Sequence, residues 1–203
     1  MKITDLDIKR FSKQIIVKDI GLAGQRKLLN SKVLIIGMGG LGCPLLIYLA
    51  NTGIGNIGII DDDKIEISNL NRQILFAQKD LGKYKVDQAK ERIKQINNNI
   101  RLNIYRNKIN ERNIKNIIKK FDIICDCTDN FETRYIINDH CIKAKKILIS
   151  AAITKFSGHL FNFNFKNKIP CFRCFMPEIP KIIKKGLKIF KDNNIEIDTF
   201  FAP

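Results

Sequence analysis

Short, mostly apolar runs alternate along this chain with segments whose apolar residues recur every three or four positions. Residues 32–36 (KVLII), 56–60 (NIGII), 122–125 (DIIC) and 146–150 (KILIS) are of the first kind, with 102–105 (LNIY) between them. Runs this short, with no polar face, predict strands buried on both sides. The second kind predicts helices over 5–17, 22–29, 40–51, 83–96, 113–120 and 132–144. In the first of these Leu6, Ile8, Phe11, Ile15 and Ile16 form an approximate apolar face, and in the fourth Val86, Ala89, Ile93 and Ile96 do. Strand and helix in alternation predict an α/β, Rossmann-like fold, a mostly parallel sheet with helices on both faces. After residue 150 the pattern changes. His159-Leu-Phe-Asn-Phe-Asn-Phe165 alternates strictly, which predicts a half-exposed antiparallel strand and a partial antiparallel C-terminal part. From Pro177 onward the chain is Lys- and Ile-rich and weakly helical. The expected division is one domain over 1–176 and a divergent, truncated tail over 177–203.

Composition narrows this picture in four ways. The chain has 203 residues, 45% of them hydrophobic, enough for one substantial core. No apolar run is long enough to cross a bilayer, and residues 1–11 lack the apolar block of a secretion signal, so a cytoplasmic protein without a membrane partner is expected. The formal net charge of +16 comes mostly from lysines scattered along the whole chain, with no arginine-rich stripe. That distribution describes a solvated surface better than a nucleic-acid footprint, and it leaves room for an acidic protein partner. Of the six cysteines, Cys43, Cys125 and Cys127 sit among apolar or small neighbours and read as core fillers. Cys171-Phe-Arg-Cys174 has the spacing of a metal half-site.

Four glycines punctuate the most apolar stretch, VLIIGMGGLGCPLL. Gly37-x-Gly39-x-x-Gly42, with Gly40 between them, follows a predicted strand and opens a predicted helix, and Asp61 ends the next strand. This is the spacing of a dinucleotide fingerprint. The glycines permit a tight turn and close approach of phosphate to the helix N-terminus, and the acid accepts hydrogen bonds from ribose hydroxyls. The alternative is a tight turn that holds nothing. Ser68-Asn-Leu-Asn-Arg-Gln73 then separates a phosphate-reacting site from a nicotinamide one. Arg72 offers a planar fork for phosphate oxygens, Asn69 a donor, and Lys85 a second positive charge. Taken singly, Arg72 also reads as a surface salt bridge and Lys85 as a solvated helix start. Asp129, in Asp126-Cys-Thr-Asp-Asn130, puts a carboxylate where ligands of open α/β sheets bind. Beside a polyphosphate it implies a Mg²⁺ ion, and by itself it reads as the cap of the following helix.

Together these motifs resemble the ThiF/MoeB/HesA family, bacterial relatives of ubiquitin-activating enzymes. Arg10-Phe-Ser-Lys-Gln-Ile-Ile, the glycine stretch, Asp61, Ser68 to Gln73, Lys85, Asp126 to Asn130 and Cys171-Phe-Arg-Cys174 occur in the family's order and spacing. The resemblance implies an adenylyltransferase that binds MgATP and activates the Gly-Gly carboxy-terminus of a small ubiquitin-like sulfur carrier. It implies that Gly40, Asp61, Ser68, Asn69, Leu70, Asn71, Arg72, Lys85, Asp129 and Asn130 form the ATP pocket. Asp129 would hold Mg²⁺, while Arg72 and Lys85 stabilise charge on the phosphates. Asp61-Asp-Asp, Arg72-Gln-Ile-Leu-Phe76 and the stretch from Asp19 to Leu29 look closest to the thiamine-pathway branch, with a ThiS-like carrier. The molybdopterin branch, with a MoaD-like carrier, is the alternative.

The chain departs from the family pattern at three places. Where the family supplies an arginine across a homodimer interface, Lys13 stands here, which keeps the charge and loses the fork. Asn71 replaces a common glutamine. The family's zinc is held by two Cys-x-x-Cys pairs, and only Cys171 and Cys174 are present, so a Zn²⁺ half-site is expected in place of a closed site. The end at Phe200-Phe-Ala-Pro203 resembles the middle of a longer member. An impaired nucleotide-binding remnant and a nicotinamide-dependent oxidoreductase are the competing readings, the second disfavoured by Ser68–Gln73 and Asp129.

Overall fold

Val33, Leu34, Ile35 and Ile36 are buried on alternate sides, which makes β1 (Lys32–Ile36) the centre of the molecule. In the computed structural model, which describes residues 3–177, three helices precede it: α1 (Asp5–Arg10), α2 (Ser12–Ile15) and α3 (Gly21–Asn30). The alternation then runs α4 (Gly42–Thr52), β2 (Asn56–Ile60), α5 (Lys85–Ile96), β3 (Arg101–Tyr105), α6 (Ile114–Ile118) and β4 (Ile123–Asp126). It closes with α7 (Phe131–Lys143), β5 (Ile147–Thr154), β6 (Ser157–Asn164) and the single turn α8 (Phe172–Phe175). The sheet order is β3-β2-β1-β4-β5-β6, parallel throughout except for the β5–β6 hairpin. The predicted α/β class and the antiparallel C-terminal strand are both present. The expected weakly helical tail lies outside the described residues.

Two apolar layers hold the sheet. On one side Val33 and Ile35 meet Cys43, Leu46 and Ala50 of α4 and Val86, Ala89 and Ile93 of α5. On the other, Leu34 and Ile36 meet Ile114 and Ile117 of α6 and Ile137 and Cys141 of α7. Burial of each such aliphatic side chain contributes about 1.5–3 kcal/mol. Gly58 in β2 has a packing reason: a Cβ there would stand 2.3 Å from Cζ of the buried Phe121 ring.

The predicted helix over 5–17 is not continuous. It breaks at Phe11, the one apolar residue of the set that enters the core, at 2% exposure, whereas Leu6 and Ile16 remain 64% and 75% exposed. Phe11 is drawn against Gly53 at the end of α4, and Gln14 and the buried Gln25 both donate to the Thr52 carbonyl there. One anchor and an amide clasp therefore replace an apolar stripe.

Register positions the site. Ile36 pairs with Ile60 on one side and with Asp126 on the other, so β1, β2 and β4 end at the same level. The strand order turns back on itself between β1 and β4, the place where open α/β sheets leave a crevice beyond the strand ends.

Candidate functional site

The crevice is a cleft of about 990 Å³. Its floor is the turn after β1. Gly37 has φ 94°, and a Cβ on it would stand 2.9 Å from the Cys127 carbonyl oxygen, so only glycine fits between the loops after β1 and β4. At Gly42 a Cβ would lie 2.0 Å from the Gly37 carbonyl oxygen, and that closeness lets α4 start immediately behind the turn. Gly39 differs, because a Cβ there would meet no atom within 4 Å. Packing does not require glycine at that position, and bare backbone facing open space fits an incoming phosphate group. Gly40 lies under Arg72, whose Cγ and Cδ would be 3.3 Å from a Cβ at 40.

Asp61 ties the ends of β1 and β2 together. Its Oδ2 accepts the Met38 amide at 2.7 Å and its Oδ1 the Asp63 amide at 2.8 Å. Burial pushes the Asp61 carboxyl above the usual carboxylate range, against those two hydrogen bonds. Arg72 donates from Nη1 to the Ser68 carbonyl and to Asn71 Oδ1, each at 3.0 Å. Lys85 opens α5 with its side chain 6% exposed, and its Nζ lies 2.6 Å from Asp63 Oδ2.

The third wall is the loop after β4. Asp126 is 1% exposed and accepts from Thr128 N, Thr128 Oγ1 and Ser150 Oγ. Arg134 of α7, itself buried, donates to Asp126, Ser150, the Ala151 carbonyl and the Thr128 carbonyl. This knot fixes the loop that presents Asp129. Asn130 caps α7, accepting the Thr133 amide at 2.9 Å, which settles the competing reading of Asp129 as the cap. The exposed Asp129 carboxylate has Asn130 Nδ2 at 3.4 Å.

The cleft brings together most of the expected residues. Gly37, Gly39, Gly40 and Asp61 line it, as do Asn69, Arg72, Lys85, Asp129 and Asn130. Ser68, Leu70 and Asn71 do not line it; Ser68 and Asn71 act from behind, by holding the Arg72 guanidinium. Gly42 shapes the turn and does not face the space. Lys13 is exposed on α2 and is not among the lining residues. Residues the sequence reading passed over also matter: Asp63, the buried Gln73 and Arg134 all line the cleft. Asp63 was visible as the third acid of Asp61-Asp-Asp. For Arg134 the signal was faint, a charge on an otherwise core-facing stretch of a helix.

A hard carboxylate in the same cleft as the glycine turn suits a magnesium ion at Asp129. The cysteine pair fits zinc poorly. Cys171 and Cys174 place their sulfurs 3.7 Å apart, but no third Cys, His or acid joins them among the described residues. His140 pairs with Glu111 and His159 stacks on Phe161, so neither reaches the pair. Burial works against ionisation of Cys171, yet hydrogen bonds with Asn138 and Cys174 bring its thiol below the ordinary value. Burial pushes the thiols of Cys43, Cys125 and Cys141 up to about 12, in keeping with core positions. The Cys127 thiol is pushed up as well, but that residue is half-buried and lines the cleft instead of filling the core.

Known proteins place this arrangement. The profile described as "ThiF family" matches residues 11–188. The chain is 41% identical over 179 residues to "Adenylyltransferase and sulfurtransferase MOCS3" of Culex quinquefasciatus, covering 88% of this chain and 41% of that protein. It is 45% identical over 175 residues to "Adenylyltransferase and sulfurtransferase UBA4" of Debaryomyces hansenii, covering 86% of this chain and 39% of that protein. It therefore spans about two fifths of the length of these relatives. The crystal structure of E. coli MccB with ATP superposes with a TM-score of 0.75 at 29% identity, covering 94% of this chain and 58% of that one. These three carry no thiamine-pathway name. Among the described residues no helix is long and apolar enough to cross a membrane.

Proposed function

The chain belongs to the ThiF family, and on that premise we propose that it is an ATP-dependent adenylyltransferase acting on the C-terminal Gly-Gly carboxylate of a ubiquitin-like sulfur carrier. The observation that carries this reading is the convergence of a bare glycine turn, two cationic side chains and an exposed carboxylate on one cleft. A carboxylate and a triphosphate are both negative, and a carboxylate is a weak nucleophile. Such a site works by alignment and by offsetting charge.

ATP lies with its ribose at Asp61 and its phosphates on the backbone of Gly39 and Gly40. Arg72 and Lys85 face the phosphates. Asp129 would hold a magnesium ion, which would offset negative charge on the phosphate oxygens. The carrier's carboxylate oxygen bonds to the α-phosphorus, the bond from that phosphorus to the bridging oxygen breaks, and pyrophosphate leaves with the electron pair. No net proton is consumed. The Cys171–Cys174 pair enters no step.

Three finer parts belong to the same reading. The chain acts as a homodimer in which Lys13 reaches the partner's cleft. The exposed apolar side chains of Leu6, Ile16, Tyr48, Ile67 and Ile74 support a buried interface. A cytoplasmic setting suits the substrates. The thiamine-pathway carrier rests on Asp61-Asp62-Asp63 and the stretch from Arg72 to Phe76 alone, and the relatives' names lend it no support, so ThiS-like and MoaD-like carriers enter the test as equals. ATP–pyrophosphate exchange with the purified full chain and magnesium, with each carrier in turn, tests the proposal. Carrier-dependent exchange is the expected result. Folded protein that binds ATP and exchanges with neither carrier would favour the impaired remnant.

A further inference from the structure

The geometry points to Asp63 as the positioning residue that aims the Lys85 ammonium into the cleft. This inference rests on the adenylation reading and deepens it. A lysine head is a compact charge on a flexible stem, so a buried one needs an anchor if its direction is to be fixed. Lys85 has two links to Asp63. Its Nζ lies 2.6 Å from Asp63 Oδ2, and its backbone amide donates to the Asp63 carbonyl at 3.0 Å. Asp63 is held in turn, because its amide donates to Asp61 Oδ1, while Asp61 Oδ2 takes the Met38 amide. A hydrogen-bonded line thus runs from the glycine turn through Met38, Asp61 and Asp63 to the ammonium.

The two partners differ in burial. The Lys85 side chain is 6% exposed and the Asp63 side chain 65% exposed. Asp63 therefore contributes little to packing, and what its carboxylate does is directed at one neighbour. It accepts a hydrogen bond from one of the three ammonium N–H groups and leaves two for a ligand. The Asp61-Asp62-Asp63 run also has the spacing of an acidic metal cluster. With Lys85 seated on Asp63, the run acts here as a holder for a cation the protein itself supplies.

The test uses the full chain with Asp63→Ala and Asp63→Asn, read in two ways. The first is exchange kinetics. Asp63→Ala is expected to lower kcat roughly tenfold or more, with KM for ATP changed less than about threefold and the melting temperature within about 2 °C. Asp63→Asn, which keeps an acceptor without the charge, should fall between it and the native chain. A purely structural role would instead lower the melting temperature and leave kcat per folded molecule intact. The second reading needs no turnover: acylation of lysines with an N-hydroxysuccinimide ester, quantified by peptide mass spectrometry. Lys85 should react about fivefold faster in Asp63→Asn than in the native chain, with distant lysines unchanged. Native kcat in folded Asp63→Ala, or an unchanged Lys85 acylation rate in Asp63→Asn, would overturn the assignment. Absence of exchange in the native chain would remove the adenylation reading, and the acylation measurement would still decide the pairing.

Discussion

The Met38 amide donates to Asp61 Oδ2 at 2.7 Å, so the acid that ends β2 is fastened to the glycine turn that ends β1. One half-buried carboxylate thereby sets the relative position of two walls of the cleft. The arrangement has an electrostatic cost, because burial raises the Asp61 pKa above its unfolded value.

That cost has a sign. A carboxyl whose folded pKa is raised favours the folded state while protonated, and the benefit is lost as pH rises through the raised value. Asp61→Asn stays neutral and escapes this loss. The difference in melting temperature, Asp61→Asn minus native, should therefore move in the variant's favour as pH climbs from the ordinary carboxylate range through the raised pKa. Thermal melts across that window check it, and a flat difference contradicts it.

Glycines of the same turn should fail in different ways. Gly42→Ala forces a methyl against the Gly37 carbonyl and should destabilise the chain by about 1–3 kcal/mol. Gly39→Ala meets open space, so its urea midpoint should match the native one while ATP affinity falls roughly tenfold. Urea unfolding and ATP calorimetry on the two variants separate a packing glycine from a ligand-facing one.

Phe121 predicts a purely structural lesion. Gly58→Ala drives a methyl into its ring and should cost about 1–3 kcal/mol, with KM for ATP unchanged in the folded fraction.

How much of this could be read from the sequence depended on whether the signal was local. β1 and β2 fall at the expected residues, since four successive buried positions after a polar one leave little choice. The glycine turn and Asp129 were legible because each follows a strand end, and Arg72 because it sits in the compact polar run Ser68–Gln73. Phe11 was not, because periodicity counts apolar residues without saying which one α4 has room for. The Lys85–Asp63 pair joins residues 22 apart, and Arg134 reaches Ser150 across 16, so neither had a sequence pattern to show it.

Thiol chemistry should divide the cysteines. Alkylation with iodoacetamide at neutral pH should label Cys171 and Cys174 in the folded chain and leave the buried Cys43, Cys125 and Cys141 unmodified. Cys43, Cys125 and Cys141 are held up to about 12 by burial, so almost no thiolate is present. Rapid labelling of any buried thiol would show that the core opens more readily than its packing implies.

The measurement closest to the central claim is calorimetric titration of the full chain with ATP, with and without magnesium. If the glycine turn, Arg72, Lys85 and Asp129 grip one nucleotide, one site per chain is filled. Arg72→Ala should weaken it about tenfold in either buffer, and Asp129→Ala should weaken it only where magnesium is present. Native affinity in both variants would contradict the account.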